Sequence, residues 1–216
     1  MKKIWFFVEG DSEENLVVAM VHHNYPDVII ERDESKFIAE YYERRCCYCV
    51  NAGNVDKLPY LISEYCADRR IEKSQSNDVV VICDIENLKC NSSRKNKIEY
   101  LLDDSSKQLD IKYIFFNPMI EKLYWDCPEI IGKVLQATLR KRNIGYAGEV
   151  SIDNTQIATK KYHYKLHELF KKYGLKYRKN QFSKEFFNRV DYKICNNLVI
   201  LRLVNYMNFK LDQGEK

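Results

Sequence analysis

The stretch IWFFVEGDSEENL, residues 4–16, decides how the chain is read. Ile4, Trp5, Phe6, Phe7 and Val8 form a short unbroken apolar run. A run of this length predicts a strand covered on both faces, since a half-exposed strand would alternate. The chain then turns acidic at Glu9-Gly10-Asp11. Ser12 is the expected N-cap of a helix over about Glu13–His23, which the Asn24-Tyr25-Pro26 turn should end. A buried strand that stops on carboxylates needs a reason for those carboxylates.

The same pattern recurs downstream. DVVVIC, residues 78–83, is a second buried strand and runs into Asp84 and Glu86. IKYIFF, residues 111–116, is a third, broken by Asn117-Pro118 and followed by a helix through MIEKLYW that carries Glu121. Between them the sequence predicts a short strand at 27–32, a helical segment at 36–45 and a strand at 46–50. Helices are expected over 58–69, with Pro59 in the first turn, and around 95–102. Alternation of this kind predicts an α/β fold with a mainly parallel sheet flanked by helices. Ligands of such sheets bind beyond the carboxyl ends of the strands. If the three strands are neighbours, Glu9, Asp84, Glu86 and Glu121 converge on one crevice. Carboxylates so placed repel one another, and a hard cation among them, Mg²⁺ or Mn²⁺, relieves the repulsion. Any one of these acids taken singly also reads as a solvated turn residue; the set in this order points to metal.

Bulk properties narrow the classes. A chain of 216 residues fits one large domain, or one domain with an appendage. Hydrophobic residues at 45% and charged residues at 31% are ordinary for a globular protein. No apolar run approaches the roughly 18 residues that cross a bilayer, so no membrane partner is expected. MKKIWFFVEGD opens like a signal peptide, but its apolar stretch is short and meets acids at once. A cytoplasmic location with reduced cysteines is therefore the expectation. Cys46, Cys47 and Cys49 invite a zinc reading, but no second CxxC accompanies them and their alternation suits a strand.

The formal charge of +4 is unevenly spread. Residues 132–181 hold 12 Lys and Arg against 3 Asp and Glu, a net of +9, which leaves −5 for the rest. The chain is accordingly divided into an α/β core, residues 1–130, and a basic, mainly helical extension packed on it, residues 131–216. LRKRN at 139–143 and TKKYHYKLHELFKKYGLKYRKNQF at 159–182 interleave cations with aromatics. Arg140, Lys141, Arg142, Lys160, Lys161 and Lys165 are the candidates for contacts to a nucleic-acid backbone. The aromatics stack on bases or, at the helical spacing of Tyr162, Leu166, Leu169, Phe170 and Tyr173, pack into the core. His163 and His167 at i, i+4 read as a surface pair without a third metal ligand.

FFVEGDSEENL at 6–16 and VVVICDIEN at 79–87 together resemble the TOPRIM fold. The chain resembles more specifically the small TOPRIM-like proteins of the RloB type, related to the nuclease domain of OLD-family proteins. The shared pieces are Glu9, Gly10, Ser12 and Glu13; Asp84 and Glu86; and Asn117, Pro118, Glu121 and Tyr124-Trp125. FSKEFFNRV at 182–190 resembles the short aromatic helix that closes such domains. One position departs: Glu86 stands where the second aspartate of Asp-x-Asp is usual.

The resemblance implies Mg²⁺-dependent phosphodiester hydrolysis of DNA or RNA. Asp84 and Glu86 would hold the metal against the scissile phosphate, and Glu9 would bind metal or move a proton. Glu13 would hold a second ion, Glu121 would complete the shell, and a lysine of the basic part would reach the phosphate. It also implies a place in prokaryotic antiphage defence, beside a partner ATPase or another defence-system subunit. The alternative is a TOPRIM-like subunit that binds nucleic acid or a partner without cutting, which Glu86 keeps open. Nucleotide phosphotransfer by another α/β fold ranks last, since the chain has no P-loop and only 7 glycines.

Overall fold

A computed structural model describes residues 3–32, 45–68, 71, 77–85, 90–145, 150, 152 and 162–212. Within them the chain runs β1 (Lys3–Val8), α1 (Asp11–Asn24), β2 (Ile29–Glu31), β3 (Cys46–Asn51), α2 (Leu58–Ala67) and β4 (Asn77–Asp84). It continues as α3 (Asn91–Leu101), β5 (Ile111–Phe116), α4 (Glu121–Asp126), α5 (Pro128–Lys141), α6 (Tyr162–Lys172), α7 (Lys179–Phe187) and α8 (Leu198–Asp212).

The five strands form one parallel sheet in the order β2-β3-β1-β4-β5. β1 is central, with Phe7 opposite Val50 on one side and Val81 on the other. Side chains of a strand alternate between faces. Ile4, Phe6 and Val8 therefore join one core, and Trp5 and Phe7 join the other. The first core takes in apolar residues of α1, α4, α5, α6, α7 and α8, from Leu16 to Leu211. The second is built with α2 and α3, through Leu58, Ile62, Tyr65 and Ile98. Burial on both faces explains why β1 and β4 read as unbroken apolar runs, each large side chain contributing roughly 1.5–3 kcal/mol.

Two local expectations change. Helix α1 begins at Asp11, with Gly10 at the N-cap position and no side-chain cap. Ser12 lies inside the first turn and is fully buried, and its hydroxyl accepts a hydrogen bond from Tyr124 at 3.2 Å. The turn is favoured instead by the acidic Asp11 and Glu14 at the positive end of the helix dipole. The helix expected through MIEKLYW starts only at Glu121, after the cis Asn117–Pro118 bond. The expected helix at 36–45 lies outside the described residues except for Arg45.

The basic part is tied to the acidic part by polar as well as apolar contacts. Asn15 on α1 donates to Ser183 Oγ at 2.7 Å and to Asn180 Oδ1 at 3.0 Å on α7. Tyr124 packs its ring edge-on against Phe182 and Phe186, with centroids 5.0 and 4.8 Å away. These contacts set where the first turn of α7 stands over α1. Replacing Asn15 by Ala removes its hydrogen bonds to the buried Ser183 hydroxyl and to Asn180, so Asn15→Ala should cost about 1–3 kcal/mol in urea unfolding with the circular dichroism spectrum unchanged. An unaltered midpoint would show that the apolar contacts alone seat α7.

Candidate active site

β1 is the strand from which the sheet grows in both directions: β3 and β2 extend one side, β4 and β5 the other. The reversal falls between β1 and β4, so their carboxyl ends open a crevice at the topological switch point. Glu9 follows β1 directly and Asp84 is the last residue of β4. The Glu9 N–H still donates to Ile82 O at 3.1 Å, which holds the residue at the edge of the ladder. Its Oε2 accepts the Asp84 N–H at 3.0 Å. Asp84 Oδ1 in turn accepts the Ile120 N–H at 2.8 Å, one residue before α4. Below this chain, the Ile85 N–H bonds Phe116 O at 2.9 Å, and the buried Arg94 guanidinium bonds Ile85 O at 3.1 Å. The backbone carrying Asp84 is thus fixed from both sides.

Glu13 and Glu121 complete the group. A Cβ on Gly10 would stand 3.6 Å from Glu13 Oε2, so the Glu13 carboxylate folds back beside Glu9. Glu121 opens α4 and pairs with Lys179, the first residue of α7, at 2.7 Å. Only 3% of Glu13, 8% of Asp84 and 3% of Glu121 remains exposed. Burial, then the Glu13, Glu121 and Glu9 charges, pushes the Asp84 carboxyl above neutrality. Burial likewise pushes Glu13 above neutrality, with Glu9 and Glu121 adding to it and its own backbone N–H and Lys179 opposing. Lys179 has about half of its side chain exposed; partial burial favours its neutral form, but Glu121, Glu13 and Asp84 outweigh that and raise it.

The structure thus brings together four of the expected acids, Glu9, Glu13, Asp84 and Glu121, around one ammonium. Glu86, Lys160 and Lys161 lie outside the described residues. Among the described residues no three His, Cys, Asp or Glu side chains stand as a formed metal-ligand set. The hydrogen bonds give the reason: Glu9 and Asp84 are each turned to a backbone N–H, and Glu121 to Lys179. The donors themselves are all carboxylate oxygens, which is the ligand chemistry of Mg²⁺ and Mn²⁺.

The cationic candidates are more dispersed. Arg140, Lys141 and Arg142 are exposed at the C-terminal end of α5, and Lys141 is paired with Glu185 at 2.9 Å. Lys165 is half-buried on α6. Arg142, Lys176 and Arg178 gather at a small cleft with Phe170 and Phe182 in its wall. Tyr162, Leu166, Phe170 and Tyr173 are buried, so helical spacing correctly assigns them to the core, while Tyr164 is exposed. His163 and His167 are exposed, with Nε2 atoms 3.2 Å apart and both rings edge-on to Tyr177. Lys179 is the site residue that the sequence does not single out. It is one of many lysines in a basic run, and only the packing of α7 on α1 and α4 distinguishes it.

No protein-family model, curated protein or solved structure matches the chain.

The raised carboxyls have a consequence for stability. In the folded protein Glu13 and Asp84 keep a proton at pH values where the unfolded chain has released it. The native state then binds more protons, and stability falls as pH rises from the ordinary carboxylate range through neutrality. Asp84→Asn removes one titrating group and keeps the acceptor for Ile120. Between pH 5 and pH 9 the unfolding free energy of the unsubstituted protein should fall, and the variant should fall less, by on the order of a few kcal/mol. Parallel pH profiles would mean that Asp84 titrates alike in the folded and unfolded chains.

Proposed function

We propose that the crevice between β1 and β4 is the centre of a metal-dependent nuclease of the TOPRIM type that hydrolyses phosphodiester bonds of DNA or RNA. The observation that carries the reading is the placement of Glu9 and Asp84 on the ends of adjacent central strands, with Glu13 and Glu121 buried beside them. Carboxylates pushed above neutrality by burial, with neighbouring acids adding to it, are a poor end state for a protein and a good one for a cation site. Glu9, Glu13, Asp84 and Glu121 would hold Mg²⁺ or Mn²⁺, with Glu86 a further ligand by the resemblance. The metal, when bound, offsets charge on the phosphate and lowers the pKa of a bound water. Lys179 keeps a positive charge at the same spot and is placed to meet a phosphate oxygen once Glu121 turns to metal. Lys165, Arg140, Lys141 and Arg142, with Lys176 and Arg178, would carry the polyanion toward the crevice. The resemblance to RloB-type and OLD-family proteins supports a place in antiphage defence, beside a partner ATPase or another defence subunit.

One observation favours the second reading, a TOPRIM-like subunit that binds nucleic acid or a partner without cutting. Glu9, Asp84 and Glu121 each already have a partner, a backbone N–H for the first two and Lys179 for the third.

The deciding experiment offers labelled single- and double-stranded DNA and RNA to the protein with Mg²⁺, Mn²⁺ or EDTA. Cutting should require the metal. It should fall by on the order of a hundredfold or more in Asp84→Asn and in Lys179→Met, in line with the loss of one charged group at a transition state. Mg²⁺ should also raise the melting temperature of the unsubstituted protein at pH 8, where it displaces protons from Glu13 and Asp84, and not that of Asp84→Asn. Salt-sensitive binding without cutting or a metal shift would select the second reading. Separately, the double variant Lys176→Glu with Arg178→Glu should weaken nucleic-acid binding and flatten its dependence on salt by roughly one to two charges. An unchanged salt slope would remove this cleft from the path of the polyanion.

A further inference from the structure

The chain folds back on itself after α6. Gly174 takes a left-handed backbone, with φ at 69°, and the N–H groups of Gly174 and Leu175 cap the Lys171 and Phe170 carbonyls, each at 2.9 Å. The reversal lays Tyr177 along the helix that has just ended. Only 4% of Tyr177 is exposed, and its ring packs against Phe170 and Phe182, with centroids 5.4 and 5.5 Å away. The same ring is the platform for two exposed imidazoles of α6. His163 and His167 stand edge-on to it, with centroids 5.2 and 4.9 Å away.

Residues four apart share a face of a helix. Here the two imidazoles meet with centroids 4.7 Å apart and Nε2 atoms 3.2 Å apart. Zn–N bonds are about 2.0–2.1 Å long, so an ion bonded to both nitrogens at this separation would see them at about 100°. That angle falls between the roughly 90° of an octahedral site and the roughly 109° of a tetrahedral one. The present hydrogen bond aims one nitrogen at the other, and a small turn of the rings aims both at a common point. Burial, then His167, lowers His163 below the ordinary imidazole range, with Lys179 adding to this and Glu121 opposing. The neutral ring that results at neutral pH is the form that binds metal. The other two histidines are not arranged in this way. His22 and His23 are consecutive, so they point to different faces of α1, and His23 packs edge-on against Tyr192.

We propose that His163 and His167 form a two-point clamp for a borderline divalent ion, Zn²⁺, Ni²⁺ or Cu²⁺, on the outer face of α6 and separate from the carboxylate crevice. Imidazole nitrogens select these ions, whereas the all-oxygen crevice suits Mg²⁺ and Mn²⁺. Among the described residues no third His, Cys, Asp or Glu joins the pair. The remaining coordination positions are therefore open to water or to an anionic ligand. The bound ion would tie two successive turns of α6 together above Tyr177. Tyr177 stands two residues before Lys179, so the clamp rests on the segment that delivers Lys179 to Glu121. This inference stands apart from the nuclease reading and survives its failure.

The test titrates Zn²⁺ into the full chain with isotope-labelled histidine rings and follows the ring nitrogens by NMR. A few equivalents of zinc should move the Nε2 signals of His163 and His167 together, and EDTA should return them. The signals of His22 and His23 should stay in place, and Mg²⁺ should move none of the four. In His167→Asn the zinc needed to move His163 should rise by about tenfold or more, since even an outer partner of a metal ligand is worth that much. Asp84→Asn should leave both zinc shifts intact, which separates the clamp from the crevice. The titration of the unsubstituted protein decides the matter even if a variant fails to fold. His163 and His167 signals that stay in place, a His163 that binds zinc as tightly in His167→Asn, or a response lost in Asp84→Asn overturns the proposal.

Discussion

The Glu9 carboxylate accepts the Asp84 N–H across the ends of β1 and β4, and Asp84 accepts the Ile120 N–H in turn. This short relay joins the two central strands to the segment that starts α4. β1 is paired on both edges and covered on both faces, so its side chains can leave the core only at the strand's ends. A strand held in this way cannot slip by one residue without turning Ile4, Phe6 and Val8 toward the wrong core. The position of Glu9 is therefore a by-product of hydrophobic register. So is the position of Asp84, because β4 is set against β1 residue by residue.

The electrostatic cost of the arrangement is met from elsewhere in the chain. Four carboxylates gathered in a largely buried crevice would repel one another, and Lys179 arrives from α7 to offset part of that charge. Its backbone is placed by an interface that is partly apolar, through Tyr124, Phe182 and Phe186, and partly polar, through Asn15, Asn180 and Ser183. The acidic α/β layer and the basic helices thus share one core and one site. Compensation remains incomplete, since Glu13 and Asp84 still sit above neutrality.

The strands and most helices were legible because their signals are local. The runs at 4–8 and 79–83 are apolar without interruption, 111–116 is apolar but for Lys112, and each proved to be a strand of the sheet. Pro59 in the first turn of α2 and the break at Asn117-Pro118 also read directly. Ser12 misled, because serine before a helix is both a good cap and a small residue that can be buried. The choice was made by Tyr124, 112 positions away, whose hydroxyl takes Ser12 as its partner. Lys179 was invisible for a related reason. Nothing in Tyr177-Arg178-Lys179-Asn180 separates it from the lysines around it, and its partner Glu121 lies on a different helix.

By itself the sequence determined the fold class, the strands whose ends carry Glu9 and Asp84, and the basic character of the second half. Each of these follows from the order of apolar and charged residues within about ten positions of one another. Only the tertiary structure decided that β1 and β4 are neighbours, that Glu13 and Glu121 turn inward, and that Lys179 answers them. Those facts depend on which helix packs on which face, and that choice is made by the fit of two cores built from residues spread along the whole chain. Periodicity records which side of an element is apolar, and it carries no address for the surface that will cover it.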